Sequence, residues 1–417
     1  EIESTEEKGL ATSVSQYAKS VLLNNGFVED DLEVVGPAKD SKGLYAIYRG
    51  RSSKDPVIVM AHVDVVPAVK NSWITDPFKM TEIDGFLHGR GTSDNKAGAA
   101  GLVATFAKLR AEGFVPRNDI IMLLTGDEET GMQSIRYFKD NYKNVQGAAF
   151  ALNSDGGYLT GTMDNPEAFR LQSAEKVYFT VTLTANNRGG HSSIPRRDNA
   201  IYDLADAIKK IQEFDFPISL NQTTRATLEF SMKDANESEK SQMNLILNEV
   251  QQEYEVLKKD PEMNALTRTT CVATKLKGGH AENALPVYAT ATVNCRLVPQ
   301  DDPNQVLSKI RNLVGDDIVV TPNTDVRKSP ASPITDEILE LISSSMHPIF
   351  PDLAIVPTMS TGATDAIELR SNGVPVYGTS AMMTDPTGYR GHGLNERIEI
   401  SAFNATLDFW YTLMKQL

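Results

Sequence analysis

Five short segments of the chain gather histidines and carboxylates: Ala61-His62-Val63-Asp64, Ser93-Asp94-Asn95-Lys96, Gly126-Asp127-Glu128-Glu129-Thr130, Asn153-Ser154-Asp155-Gly156 and Gly391-His392-Gly393-Leu394-Asn395-Glu396. Each is weak alone, since Asp-Gly is a common turn and a single histidine is most often structural. Three successive acids at 127–129 repel one another unless a cation or a proton intervenes. Taken together, the segments offer imidazole nitrogen and carboxylate oxygen, donors that zinc accepts. Two such ions about 3.5–4 Å apart require one carboxylate between them and a base beside the water they activate. A metal-ligating histidine usually donates its second N–H to a carboxylate. Asp64, two residues after His62, lies on the same side of an extended chain.

Competing chemistries fit less well. The run Gly89-Arg90-Gly91-Thr92-Ser93-Asp94 resembles a nucleotide loop, but Asp94 stands where the third glycine should be and no Gly-Lys-Ser/Thr follows. A plain helix N-cap is the structural alternative for Asp94. No Gly-x-Ser-x-Gly elbow is present, which leaves a serine hydrolase without its nucleophile.

The segments need strand ends to present them, and the hydrophobic pattern supplies these. Leu10, Val14, Tyr17, Val21 and Leu22 predict a helix, and Leu44–Tyr48 and Val57–Ala61 predict strands, the second continuously apolar as in a buried sheet. A helix over 96–112, strands at Ile120–Leu124 and Ala148–Leu152, and helices at Ile338–Met346 and Ala402–Met414 complete an α/β pattern. Between them, strands at 177–184, 269–275, 289–298 and 318–321 with helices at 201–211 and 306–314 read as β-α-β-β-α-β. An extra stretch, 213–267, is expected to hold one long helix with Met243, Leu247, Val250, Tyr254 and Leu257 on a single stripe. The expected organisation is a first part at 1–172, an inserted domain at 173–327 and a second part at 328–417.

Composition narrows the partners. The 417 residues carry 41 Lys and Arg against 55 Asp and Glu, a net charge of −14, which argues against nucleic acid or an anionic membrane. At about 100–200 residues per domain the length fits two or three domains. Cys271 and Cys295 are the only cysteines, so a cysteine zinc site is excluded and their pairing is left open. No apolar run reaches the roughly 18–20 residues of a membrane span. A soluble protein is expected, periplasmic or secreted if a signal has been removed before Glu1 and cytoplasmic otherwise.

In order and spacing, the five segments resemble the two-zinc metallopeptidase family of aminoacylase-1, carboxypeptidase S, glutamate carboxypeptidase and succinyl-diaminopimelate desuccinylase. The resemblance implies a zinc-exopeptidase-like mixed sheet flanked by helices, with the inserted domain as a lid and dimerisation domain. It implies two zinc ions, with cobalt or manganese as substitutes: His62, Asp94 and Asp155 on one, Asp94, Glu129 and His392 on the other. Glu128 would be the general base and Asp64 would orient His62. A cis peptide is expected at Asp94–Asn95. In the lid, His191 of Arg188-Gly189-Gly190-His191-Ser192 would hydrogen-bond the oxyanion in a neighbouring subunit. Asn283 and Arg296 would grip a substrate carboxylate, as a planar guanidinium suits. Gly362, within Ser360-Thr361-Gly362-Ala363-Thr364, would allow close approach of the substrate. The chain departs from the family pattern at Asn95, at Ser154-Asp155 and in the longer stretch 213–267.

The activity so implied is hydrolysis of an amide next to a free carboxylate, first as a carboxypeptidase on short peptides. The alternatives are an N-acyl-amino-acid amidohydrolase or dipeptidase, and remotely a non-catalytic binding protein on the same fold. A homodimer through the lid is expected.

Overall fold

In the computed structural model the described residues are 1–323 and 328–417, so the boundary expected at 327 falls outside them. The chain divides into two compact units. One comprises Glu1–Ser173, Ser332–Thr358 and Thr364–Leu417; the other comprises Ala174–Ala331 and Met359–Ala363.

The first unit is built on a mixed sheet. Its centre is four parallel strands in the order Asn118–Thr125, Ser52–His62, Phe150–Asn153, Val376–Gly378. Gly43–Tyr48 joins antiparallel to Asn118–Thr125. The continuous apolar runs follow from burial on both faces. Leu44, Val59, Met122 and Leu124 pack with Leu102, Phe106, Phe409 and Trp410 of the helices Lys96–Ala111 and Ile400–Met414. The alternate residues Tyr45, Ile58, Met60, Ile121 and Leu123 pack on the other side with Ile135, Phe138 and Leu369 of the helices Gln133–Asn141 and Ala366–Ser371. The parallel strands therefore end together on one edge, at His62, Thr125 and Asn153, where ligand sites form in such sheets.

The second unit holds a four-stranded antiparallel sheet in the order Thr270–Gly278, Tyr288–Leu297, Val177–Asn186, Ile318–Pro322. The helices Ala200–Glu213 and Pro303–Val314 contribute Leu204, Ala207, Ile211, Val306 and Ile310 to a core with the inward residues of the sheet. Cys271 and Cys295 face each other across the first two strands and form a disulfide.

The long helix expected from Met243 to Leu257 is not formed. A helix Glu237–Leu247 stops, Glu249 takes a left-handed φ of 54°, and shorter helices follow at Glu255–Lys259 and Pro261–Thr267. The stop is built by Arg225, whose guanidinium donates to the Leu247 carbonyl and pairs with Glu249. Folding back lets Met243, Ile246, Tyr254 and Leu257 close around Ile218 and Leu228, which one straight helix could not do. Among the described residues no helix is long and apolar enough to cross a membrane.

Candidate active site

His62 closes the Ser52–His62 strand and is buried. Its Nδ1 lies 3.0 Å from the backbone oxygen of Asp64. A carbonyl only accepts, so the proton sits on Nδ1 and the lone pair on Nε2. That nitrogen faces Asp94 Oδ1 at 2.8 Å and Asp155 Oδ2 at 3.9 Å. A lone pair and a carboxylate at such distance repel unless a proton or a cation is shared between them. Burial opposes a charged ring, yet the bonds to Asp64 and Asp94 hold the His62 pKa well above its ordinary value.

Asp64 does more than orient His62. Its carboxylate is 3.5 Å from His62 Nδ1, longer than the carbonyl contact, and accepts the backbone N–H groups of Glu128 at 3.1 Å and Glu129 at 3.0 Å. The turn after the Asn118–Thr125 strand is thereby tied to the turn after the Ser52–His62 strand. Of the three acids, Asp127 is folded away, accepting Gln133 N–H at 2.8 Å and Ser134 N–H at 2.9 Å. Glu128 and Glu129 are left facing His62.

Asp94 sits just ahead of the Lys96–Ala111 helix, whose N-cap is Asn95 rather than Asp94, and the Asp94–Asn95 peptide is cis. Its second oxygen, Oδ2, lies 3.3 Å from His392 Nε2. His392 also meets Glu129 Oε1 at 2.9 Å. Burial would raise the Asp94 pKa, but hydrogen bonds from His392 and His62 hold it far below the carboxylate range. The Asp94 bond lifts His392 to about 9, with Glu129 adding to it. Burial, followed by the charge of Asp155, pushes Glu128 well above its ordinary value. Burial and the charge of Asp94 also raise the Glu129 pKa.

Three donor groups result, each with its ligand atoms within 4.8 Å of one another: His62, Asp94 and Asp155; Asp94, Glu129 and His392; and His62, Glu128 and Glu129. The residues fit a pair of divalent ions. The donors are imidazole and carboxylate, and Asp94 turns one oxygen to each histidine.

Other groups in the site are given no role by residue type alone. Glu396, fully buried, accepts the backbone N–H groups of Gly91 at 3.1 Å, Ser93 at 2.7 Å and Asp94 at 2.9 Å, and pairs with Arg90 at 2.7 Å. The glycine-rich loop thus wraps a carboxylate of the protein itself. Asp365 is buried and takes a hydrogen bond from Thr125, the residue registered with His62. Burial raises the Asp365 pKa well above the usual range. The Tyr389 hydroxyl donates to Asp94 Oδ2. Position in the fold, which only the folded structure shows, is what marks these residues.

The second unit carries the remaining expected residues. His191 Nδ1 accepts Ser193 N–H at 3.1 Å, which puts the neutral ring's proton on Nε2, an exposed donor. The His191 strand pairs with Ala284, and Asn283 O accepts Ser192 N–H at 3.0 Å. Arg296 is half-buried with its guanidinium 4.7 Å over the Tyr178 ring, and burial lowers its pKa. It has no carboxylate partner among the described residues. Gly362 N–H donates to Ser360 Oγ at 3.0 Å. His347 bonds the Leu353 carbonyl at 3.2 Å, a structural role.

A parallel-centred sheet with such a donor cluster at its strand ends is the framework of a metallohydrolase. The chain belongs to peptidase family M20/M25/M40, whose sequence pattern matches residues 58–416, and it is a hydrolase of the peptidase and amidohydrolase class. It is similar to the human N-fatty-acyl-amino acid synthase/hydrolase PM20D1, at 29% identity over 98% of this chain and 84% of that protein. Its fold is similar to that of an M20 metallo-carboxypeptidase from Sulfolobus solfataricus, with a TM-score of 0.71, 20% identity and coverage of 97% of this chain and 94% of the other. A dinuclear metal-binding M20 peptidase from Bacillus subtilis shares the fold with a TM-score of 0.59, 10% identity and coverage of 97% and 91%.

Proposed function

We propose that this protein hydrolyses an amide bond whose amine side bears a free carboxylate, with release of a C-terminal residue from short peptides as the leading form. The observation that carries the reading is Asp94, its two oxygens divided between His62 and His392 with Glu128 alongside. His62, Asp94 and Asp155 would hold one zinc ion and Asp94, Glu129 and His392 a second; cobalt or manganese suits the same donors. Bound there, the ions supply Lewis-acid polarisation of a carbonyl and lower the pKa of water.

The chain's own groups do the rest. Glu128 takes a proton from the attacking water on its carboxylate and gives it to the leaving amine. Its raised pKa suits a group that must hold that proton between steps. Asp64 fixes the His62 ring through its carbonyl and the Glu128–Glu129 turn through its carboxylate. Arg296, without a carboxylate partner among the described residues and braced on Tyr178, receives the substrate carboxylate with Asn283. Gly362 leaves room for the substrate backbone.

His191 Nε2–H is a donor for the developing oxyanion in a neighbouring subunit, which calls for a homodimer. The Thr270–Gly278 strand supports one: it is an edge of its sheet, exposed over 272–278, with Val272 and Leu276 at 60% and 72% exposure. Such an edge pairs readily with another strand. A monomeric mass with full activity would exclude the shared site. The disulfide fits an oxidising compartment.

The human relative's name favours a second reading, in which the acyl side is a fatty chain rather than a peptide. Elemental analysis with hydrolysis of N-blocked dipeptides, free dipeptides and N-acyl amino acids, before and after chelation, tests both. Two ions per chain and chelator-sensitive release of the carboxylate-bearing product are expected. No metal and no hydrolysis, after zinc is resupplied to folded protein, would overturn the proposal.

A further inference from the structure

Tyr389 lies three residues before His392, in the loop that returns the chain to the donor cluster. Its hydroxyl donates to Oδ2 of Asp94 at 2.9 Å, the oxygen that His392 Nε2 approaches at 3.3 Å. The ring reaches this place by folding back over Gly391. A Cβ at 391 would stand 2.1 Å from the hydroxyl oxygen and 2.2 Å from Cζ, so glycine is the residue that leaves it room. The loop is fixed at both ends. Thr384 N–H donates to the Leu159 carbonyl at 3.1 Å, Asp385 pairs with Arg397 at 2.6 Å, and Arg90 donates to the Gly393 carbonyl at 3.0 Å. Within it, Arg390 donates to Thr387 Oγ1 at 2.7 Å.

We propose that Tyr389 is a positioning residue for the shared ligand: its O–H holds the Asp94 carboxylate so that one oxygen faces each histidine. The inference rests on the metal-binding reading given above. Glu396 anchors Asp94 only through the backbone N–H, so the orientation of the carboxylate depends on the groups that meet its oxygens. Tyr389 restrains the far oxygen. An ionised carboxylate offers about four lone-pair sites on its two oxygens. Two are taken when it serves a pair of ions, so Oδ2 keeps one for the phenol. Hydrogen bonds behind a ligating group commonly change metal affinity by about 10–100-fold.

Calorimetric titration of the chelator-stripped protein with Zn²⁺ tests this, comparing wild type, Tyr389→Phe and Gly391→Ala. Both variants are expected to bind zinc about 10–100-fold more weakly, with metal-free thermal unfolding like that of the wild type. Phenylalanine keeps the ring and removes the donor; the added methyl at 391 keeps the donor and displaces the ring. Unchanged zinc affinity in Tyr389→Phe overturns the proposal even if turnover falls, because the hydroxyl would then serve the substrate instead. A wild type that takes up no zinc overturns the metal reading itself, a distinct outcome that removes this inference with it. Should Gly391→Ala fail to fold, Tyr389→Phe alone decides.

Discussion

The Glu396 carboxylate accepts the backbone N–H of Asp94 at 2.9 Å, joining residues from opposite ends of the chain. The same carboxylate closes the loop before Asp94 and neutralises the buried Arg90. Removing it leaves three N–H groups without their acceptor and a guanidinium without its counter-ion. Glu396→Ala should therefore destabilise the protein by about 3–5 kcal/mol and release metal. Glu396→Gln, which keeps the shape and an acceptor, should lose less. Urea unfolding with metal analysis reads both, and an alanine variant within about 1 kcal/mol of wild type would show that the loop holds its form without Glu396.

Glu128 stands in one donor group with His62 and Glu129, so its role is separable from that of a ligand only by substitution. As a base, Glu128→Gln should lower kcat by at least about 10²–10⁴-fold with both ions retained. Loss of an ion from the variant would instead make Glu128 a ligand.

The elements were legible where burial dictated residue type. Ile120–Leu124 and Val57–Ala61 are apolar throughout because helices cover both faces of the sheet. The stretch from Met243 to Leu257 misled because an apolar stripe records which residues are buried, not whether the chain turns between them; Arg225 and Glu249, which make the turn, lie off the stripe. His62, Asp94, Asp155, Glu129 and His392, which the fold gathers into groups able to hold a metal ion, stood out as residue types: three stand at or just past the ends of parallel strands, Asp94 precedes a helix and His392 lies in a loop. Glu396 was visible in the fifth segment but its role was not, and Tyr389 was not singled out, because their partners lie 302 and 295 residues away. Asp64 was read as a carboxylate orienting His62; that its carbonyl makes the nearer contact is a matter of backbone path.

Among the described residues Arg296 has no carboxylate partner, and its guanidinium lies 4.7 Å over the Tyr178 ring. If it receives the substrate carboxylate, Arg296→Ala should cost about 1.5–3 kcal/mol in kcat/KM, roughly 10–150-fold, on substrates with a free carboxylate. Amidated analogues should lose little. Equal losses on both would remove carboxylate capture from the account. Tyr178→Leu should show a smaller loss with the same selectivity, since the guanidinium stays but its support goes.

Lys176 is wholly buried, and its Nζ donates to the carbonyls of Ala265 and Arg268, each at 2.8 Å, and to Thr270 Oγ1 at 3.2 Å. Three acceptors suit an ammonium. Burial nonetheless pulls its pKa down to about 7, the charge of Arg296 acting the same way and Asp301 against it. An unfolded lysine keeps its proton to about pH 10.4. Between about pH 7 and 10 the unfolded state therefore binds more protons than the folded one, and stability rises with pH by at most about 1.4 kcal/mol per unit. Below pH 7 both states are protonated and the contribution is flat. Lys176→Met should be less stable throughout, because the acceptors lose their donor, and should lack this slope. Lys96, drawn down to about 8 chiefly by burial, acts alike in both proteins and cancels in the difference. Urea unfolding of the two at pH 7, 8 and 9 gives that difference directly. A gap that widens with pH supports the titration of Lys176, whereas a constant gap would mean that its three acceptors keep the ammonium charged across the range.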